Sequence, residues 1–224
     1  MQQQLILELA PPPAPTLDNF VPGRNADALR AVRELLAGSE PCLYLWGTAG
    51  SGRSHLLRAA TAAAVAAGHR AVLVCAPRIA AGELLRADWL AADDVALLDE
   101  LDQIELFDAF NRIRARPGGA FIACGDRPAA QLPLRDDLRT RLASGVTRQL
   151  HPLSDEEKAA ALGAAARQRG LRVGEDIVAY LLSHVRRDMG TLTAVLDALD
   201  RSSLALQRPI TLPLAREAIK ELKL

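Results

Sequence analysis

Aromatic side chains are scarce: only 4% of the 224 residues are Phe, Trp or Tyr, although 50% of the chain is hydrophobic. A core must therefore be assembled from Ala, Leu and Val. Lysine is nearly missing as well, since all but three of the 27 basic residues are Arg. Net charge is missing altogether, because 27 acidic residues balance the 27 basic ones. A neutral chain has no global field that draws it onto nucleic acid or an anionic membrane. No run approaches the ~18 apolar residues of a membrane span, and the N-terminus lacks the basic segment and apolar core of a secretory signal. The three cysteines, Cys42, Cys75 and Cys124, fit no zinc spacing. Each sits in an apolar run and reads as a small buried hydrophobe. The four histidines are scattered and suggest no metal cluster. Membrane-spanning, disulfide-framed and zinc-ribbon classes are excluded, and a reducing, cytoplasmic setting is expected.

What is present falls into three parts. Residues 1–15 are the short apolar MQQQLILELA followed by PPPAP, a peptide on an extended Pro-rich tether. In residues 16–150, apolar runs of strand length (42–46, 71–76, 94–100 and 120–125) alternate with helical periodicity at 25–37, 54–67 and 103–115. That alternation predicts an α/β fold with a parallel sheet flanked by helices on both faces. Residues 151–224 carry no strand of any weight. Ser154 with Glu157 forms a capping-box pattern, and helices are expected from there to Gly170, then over 175–186, 189–205 and 213–223, as a small all-helical domain.

Residues 47–54 read GTAGSGRS, a phosphate-binding loop in every letter but one. Gly47, Gly50 and Gly52 let backbone N–H groups of Gly47, Thr48, Ala49, Gly50, Ser51 and Gly52 turn toward phosphates. The helix that begins at Ser54 and His55 adds the positive end of its dipole, and the Ser54 hydroxyl suits Mg2+. The strand before and the helix after are the context that this motif requires. Arg53 stands where Lys is usual. It keeps the charge and replaces a compact ammonium by a planar fork, so nucleotide binding is expected to survive while hydrolysis is weakened. The run 94–100 is read as a third strand that delivers Asp99 and Glu100. Asp99 would then sit behind Mg2+, and Glu100 would orient water for attack. Asp102 is a third carboxylate of open role.

These features together resemble the AAA+ ATPases, with a P-loop AAA+ module followed by a helical lid. Further segments resemble the replication initiator DnaA and, within that group, the short Hda family that regulates it. TLDNFVPG (16–23) resembles the segment that packs on adenine and implicates Phe20 and Val21. GDRPAAQL (125–132) resembles the sensor-1 region, with Asp126 as the polar residue that reads the γ-phosphate. LRTRL (138–142) resembles the arginine-finger segment, with Arg141 on the finger, and HPLSDEEKAAAL resembles the start of the lid. QLILEL resembles a sliding-clamp-binding motif: Gln4 for a polar pocket, Leu5 within the motif, Leu7 and Leu9 for an apolar cleft. The resemblance implies ADP or ATP with Mg2+ as ligands. It implies DnaA and the β clamp of DNA polymerase III as partners, contact with DNA only through them, and a place at the replisome. A homodimer is compatible with it. The chain stops at Leu224 where such lids end, and no helix-turn-helix is expected to follow. Two departures, Gly190 where the lid's sensor-2 Arg is usual and Cys124 where Thr often ends the sensor-1 strand, argue for a site that holds ADP with little turnover. Arg186 or Arg187 would have to substitute for the missing Arg from a different helix phase. A stand-alone ATPase or helicase loader would instead turn over ATP by itself, and a DNA-gripping module would bind bare duplex in a salt-dependent way.

Overall fold

The structure, a computed structural model, describes residues 14–77, 81–185, 188–206 and 209–221. The expected clamp-binding residues Gln4, Leu5, Leu7 and Leu9 lie outside these, as do Arg186 and Arg187. The chain divides between Pro152 and Leu153 into two compact units.

The first unit runs α1 (Ala26–Leu36), β1 (Cys42–Gly47), α2 (Arg53–Ala66), β2 (Ala71–Cys75), the single turn α3 (Ala81–Leu84), β3 (Trp89–Asp93), α4 (Glu100–Arg114), β4 (Ala120–Gly125), α5 (Asp136–Ala143) and β5 (Val146–Leu150). The strands form one sheet in the order β2-β3-β4-β1-β5, and every neighbouring pair is parallel. Alternate residues of β1 supply both faces. Cys42 and Tyr44 pack with Leu106 and Phe110 of α4 and Leu138 of α5. Leu43 and Leu45 pack with Val32 of α1 and Leu56 and Leu57 of α2. Because both faces are covered, central strands of this kind read as unbroken apolar runs in the sequence. Each Leu buried this way contributes about 2 kcal/mol.

Two strands differ from the sequence expectation. The third strand is Trp89–Asp93, not 94–100. Val95–Leu97 form a single 3-10 turn, and Asp99 caps α4. The apolar letters of VALL suit a strand, but WLAAD lies between β2 and β4 and is buried throughout. Pairing to both neighbours outweighs the weak strand preference of its alanines. The fifth strand, VTRQL, was not expected at all. It lies at the sheet edge beside β1 and stays partly exposed, so it shows no apolar run. Cys75 also departs from expectation: it is exposed at the end of β2, whereas Cys42 and Cys124 are buried.

The second unit contains α6 (Asp155–Gln168), α7 (Glu175–His184), α8 (Met189–Leu206) and α9 (Leu212–Glu221). Ser154 and Glu157 cap α6 reciprocally. Leu162, Leu181, Leu192, Leu199 and Ala215 are among the residues of its apolar core. No described helix is long and apolar enough to cross a membrane.

Candidate nucleotide-binding site

β1 delivers the glycine-rich loop to the carboxyl edge of the sheet, and α2 leaves from it. Gly47 must be glycine because of crowding: a Cβ there would lie 2.3 Å from the Leu150 carbonyl oxygen and 2.8 Å from Ser51 Oγ. Gly52 must be glycine for conformation and space together. Its φ is +94°, and a Cβ would lie 2.8 Å from Phe20 Cε2. It precedes α2 with no side-chain cap, so the N–H groups of the first turn are left for a ligand. Thr48, Ala49 and Gly50 are exposed at the tip of the loop, and Ser54 is half-buried in the first turn of α2.

A short clasp holds Phe20 against this loop. Thr16 N donates to Asn19 Oδ1 (2.8 Å) and Asn19 N to Thr16 Oγ1 (3.1 Å), which fixes the turn before Phe20. The ring of His55 lies tilted at 5.5 Å from that of Phe20, and its Nε2 contacts the Thr16 carbonyl at 3.0 Å. Since a carbonyl only accepts, Nε2 carries the proton. Burial, with some help from the charge of Arg58, holds the His55 pKa below the usual imidazole value. Val21 is half-buried beside Phe20.

The acidic side of the site is built by Asp93 and Asp94, six residues earlier than the sequence suggested. Asp93 is buried and accepts from Cys124 Sγ at 2.7 Å. Burial first, and then the Asp93 carboxylate, raises the Cys124 thiol well above its usual pKa. Asp94 follows in a left-handed conformation (φ 49°) and pairs with Arg53 Nη2 at 3.1 Å. The ligand atoms of Asp93, Asp94 and Cys124 lie within 4.8 Å of one another. Asp99 and Glu100, expected here, are exposed at the start of α4 instead, where Asp99 Oδ1 accepts from Asp102 N at 2.9 Å. A signal for the correct pair was present in the sequence, because WLAADD is itself an apolar run ending in two carboxylates.

The donor set fits a nucleotide phosphate. Ser51 Oγ and Arg53 Nη1 are buried and have no hydrogen-bond partner among the described residues. Both belong to the loop whose backbone donors open at the same place. Asp126, at the end of β4, is exposed and gripped through both oxygens by Arg127 (2.9 and 2.6 Å). The Arg127 bonds lower the Asp126 pKa. Tyr44 Oη donates to the Arg127 carbonyl at 2.7 Å and pins that turn to β1.

Arg141 stands elsewhere, exposed near the end of α5. Its guanidinium lies over the Phe107 ring, 5.9 Å from the centroid, beside an open pocket of about 400 Å³ lined by Phe107, Asp136, Asp137 and Thr140. Arg135 and Arg139 pair with Asp137 and Asp136. Arg141 has no ion pair among the described residues.

A buried amide fastens the two ends of this unit. Asn25, 2% exposed, donates through Nδ2 to the His151 carbonyl (2.8 Å) and accepts from His151 N (2.7 Å). It ties the start of α1 to the end of β5, and nothing in its sequence neighbourhood announces it.

Residues 155–219, the greater part of the helical unit, match the family described as Hda, lid domain. The whole chain is similar in fold to domain III of the Thermotoga maritima replication initiation protein DnaA. Identity is 22% over 96% of this chain and 98% of that one, with a TM-score of 0.73. The helical unit is thus Hda-lid-like, and the chain as a whole shares the fold of DnaA domain III. A crystal structure of a DNA replication initiation factor is similar at 24% identity, TM-score 0.68, over 88% of this chain and 64% of that one. AMPPCP-bound DnaA from Aquifex aeolicus is similar at 26% identity, TM-score 0.65, over 80% and 62%. The chain thus spans less than two thirds of those two longer proteins. Gly190, at the position where the resemblance asks for an Arg, is exposed in the first turn of α8.

Proposed function

We propose that this protein regulates bacterial replication initiation by supplying an arginine to another protein's nucleotide. It holds an adenine nucleotide in its own phosphate loop, docks on the sliding clamp through residues 4–9, and stimulates hydrolysis of ATP bound to DnaA. The observation that carries this reading is the contrast along α5. Arg135 and Arg139 are answered by neighbouring carboxylates, whereas Arg141 is exposed, braced on an aromatic face and left for an anion from outside.

Within the chain, the residues divide the work. Gly47 to Gly52, Arg53 and Ser54 bind phosphates, and Phe20, Val21 and His55 close over the same end of the loop. Ser54 and Asp93, in place of Asp99, would hold Mg2+, which when bound offsets phosphate charge. AMPPCP-bound DnaA has the same fold, which supports an adenine nucleotide here. Gly190 brings no cation and Arg53 is not a Lys, which supports retention of ADP with little turnover. Tethering at a DNA-loaded clamp raises the local concentration of Arg141 near DnaA without new contacts.

The test is ATP hydrolysis by this protein, by DnaA, and by both with clamp loaded on DNA. Synergy confined to the full mixture is expected, and it should vanish with Arg141→Ala. Comparable turnover by this protein alone would replace the regulator with a stand-alone ATPase, and salt-sensitive grip on bare duplex would replace it with a DNA-binding module. Removal of residues 1–9 should abolish retention on clamp-coated beads; undiminished retention would remove the tether.

A further inference from the structure

Arg53 is the cation of the phosphate loop, yet its charge is already answered. Nη2 lies 3.1 Å from Asp94 Oδ1 in an ion pair, and the side chain is only 13% exposed. Nη1 is buried and has no partner among the described residues. The carboxylate is delivered by the backbone. Asp94 follows β3 directly and sits at φ 49°, ψ 46°. Its carbonyl accepts from Leu97 N at 2.9 Å to close the 3-10 turn. A residue other than Gly, Asn or Asp is disfavoured in that conformation, so the backbone restricts which side chain can stand opposite Arg53.

We propose that Asp94 is an internal competitor for phosphate. It occupies one prong of Arg53 and places a negative charge beside the loop, and in this way it sets how tightly the site holds a nucleotide. A planar fork makes this arrangement possible where a Lys would not: one prong stays on the carboxylate while the other remains available. A phosphate oxygen reaching Nη1 shares the guanidinium with Asp94. One that takes both prongs must displace the carboxylate and leave it half-exposed near the like-charged ligand. Either way, phosphate affinity lies below what the loop alone would give. The inference rests on the reading of residues 47–54 as a nucleoside-phosphate site.

The experiment is calorimetric titration of the full chain with ADP in EDTA, so that no divalent cation draws on Asp94. Asp94→Asn keeps the side-chain shape and the tolerance for left-handed backbone while removing the charge. It should bind ADP about fivefold more tightly than the parent, on the scale of a partly exposed ion pair. Asp94→Gly should move in the same direction, which guards against an effect peculiar to Asn. In an Arg53→Ala background the gain from Asp94→Asn should shrink to less than about twofold. Equal or weaker binding by Asp94→Asn and Asp94→Gly, with melting curves like the parent's, overturns the competitor. An undiminished gain in the Arg53→Ala background overturns its route through Arg53. If the parent itself binds no ADP, the nucleotide reading falls and the competitor falls with it.

Discussion

Two arginines mark two ends of the same α/β unit, and they differ in almost every physical respect. Arg53 is largely buried, starts a helix beside the phosphate loop, and spends one prong on Asp94. Arg141 is exposed near the end of α5, rests on the face of Phe107, and pairs with no carboxylate among the described residues. The difference teaches that burial and pairing sort cations by the direction in which they work. In the function proposed above, the paired, buried cation acts on what enters its own loop, and the cation held on an aromatic surface acts on what is brought to it.

The sharpest way to break this comparison is to exchange readouts. Arg141→Ala should lower the stimulated rate of DnaA hydrolysis by about 10³-fold, the low end for an arginine supplied in trans, while ADP binding by this chain stays the same. Arg53→Ala should do the reverse when ADP is saturating. Steady-state hydrolysis and ADP titration on both variants check this. If both variants lost both properties to a like extent, inward and outward roles could not be told apart.

Next in size is the loop itself. Gly47→Ala drives a methyl group into the Leu150 carbonyl and should cost about 3 kcal/mol of folding stability, read by denaturant unfolding. Gly118→Ala is its contrast. Its φ is +72° but nothing lies within 4 Å of the added Cβ, so only the backbone preference is lost, about 1 kcal/mol. Asn25→Ala lies between these at about 2 kcal/mol, because it leaves the His151 N–H and carbonyl without partners in a partly buried place. None of the three should change the action of Arg141 in protein that remains folded.

The smallest effect is a dependence on pH confined to the loop end. The His55 pKa is below 6.5 in the folded protein, so between that lowered value and 6.5 the unfolded chain binds more protons. Stability from His55 is therefore full above pH 6.5 and is lost as pH falls through that window. Melting temperatures from pH 7.5 to 5.5 should fall more for the parent than for His55→Gln, which keeps a donor for the Thr16 carbonyl. Parallel curves would mean that the ring's burial does not matter to the fold.

Sequence patterns revealed most of the architecture where burial was two-sided or capping was local. β1, β2 and β4, the glycine-rich loop and the Ser154–Glu157 box were all readable for that reason. They misled where tertiary pairing decides. Trp89–Asp93 becomes a strand because β2 and β4 claim it, and so the carboxylates of the site are Asp93 and Asp94. β5 is an edge strand with polar letters and left no periodic trace. The Asp94–Arg53 pair depends on a left-handed backbone that no spacing rule predicts, and the Cys124 bond to Asp93 depends on strands meeting side by side.

The Asn25–His151 clasp has a consequence for how the chain is made. Its two residues are 126 positions apart, which is among the most non-local contacts that the α/β unit can contain, and such contacts close late in folding. During synthesis, when domains fold from the N-terminal side, α1 must wait unfastened until β5 and His151 have left the ribosome. The next segment to emerge is α6, which starts at Asp155. Completion of the α/β unit is thus timed to the emergence of the helical one.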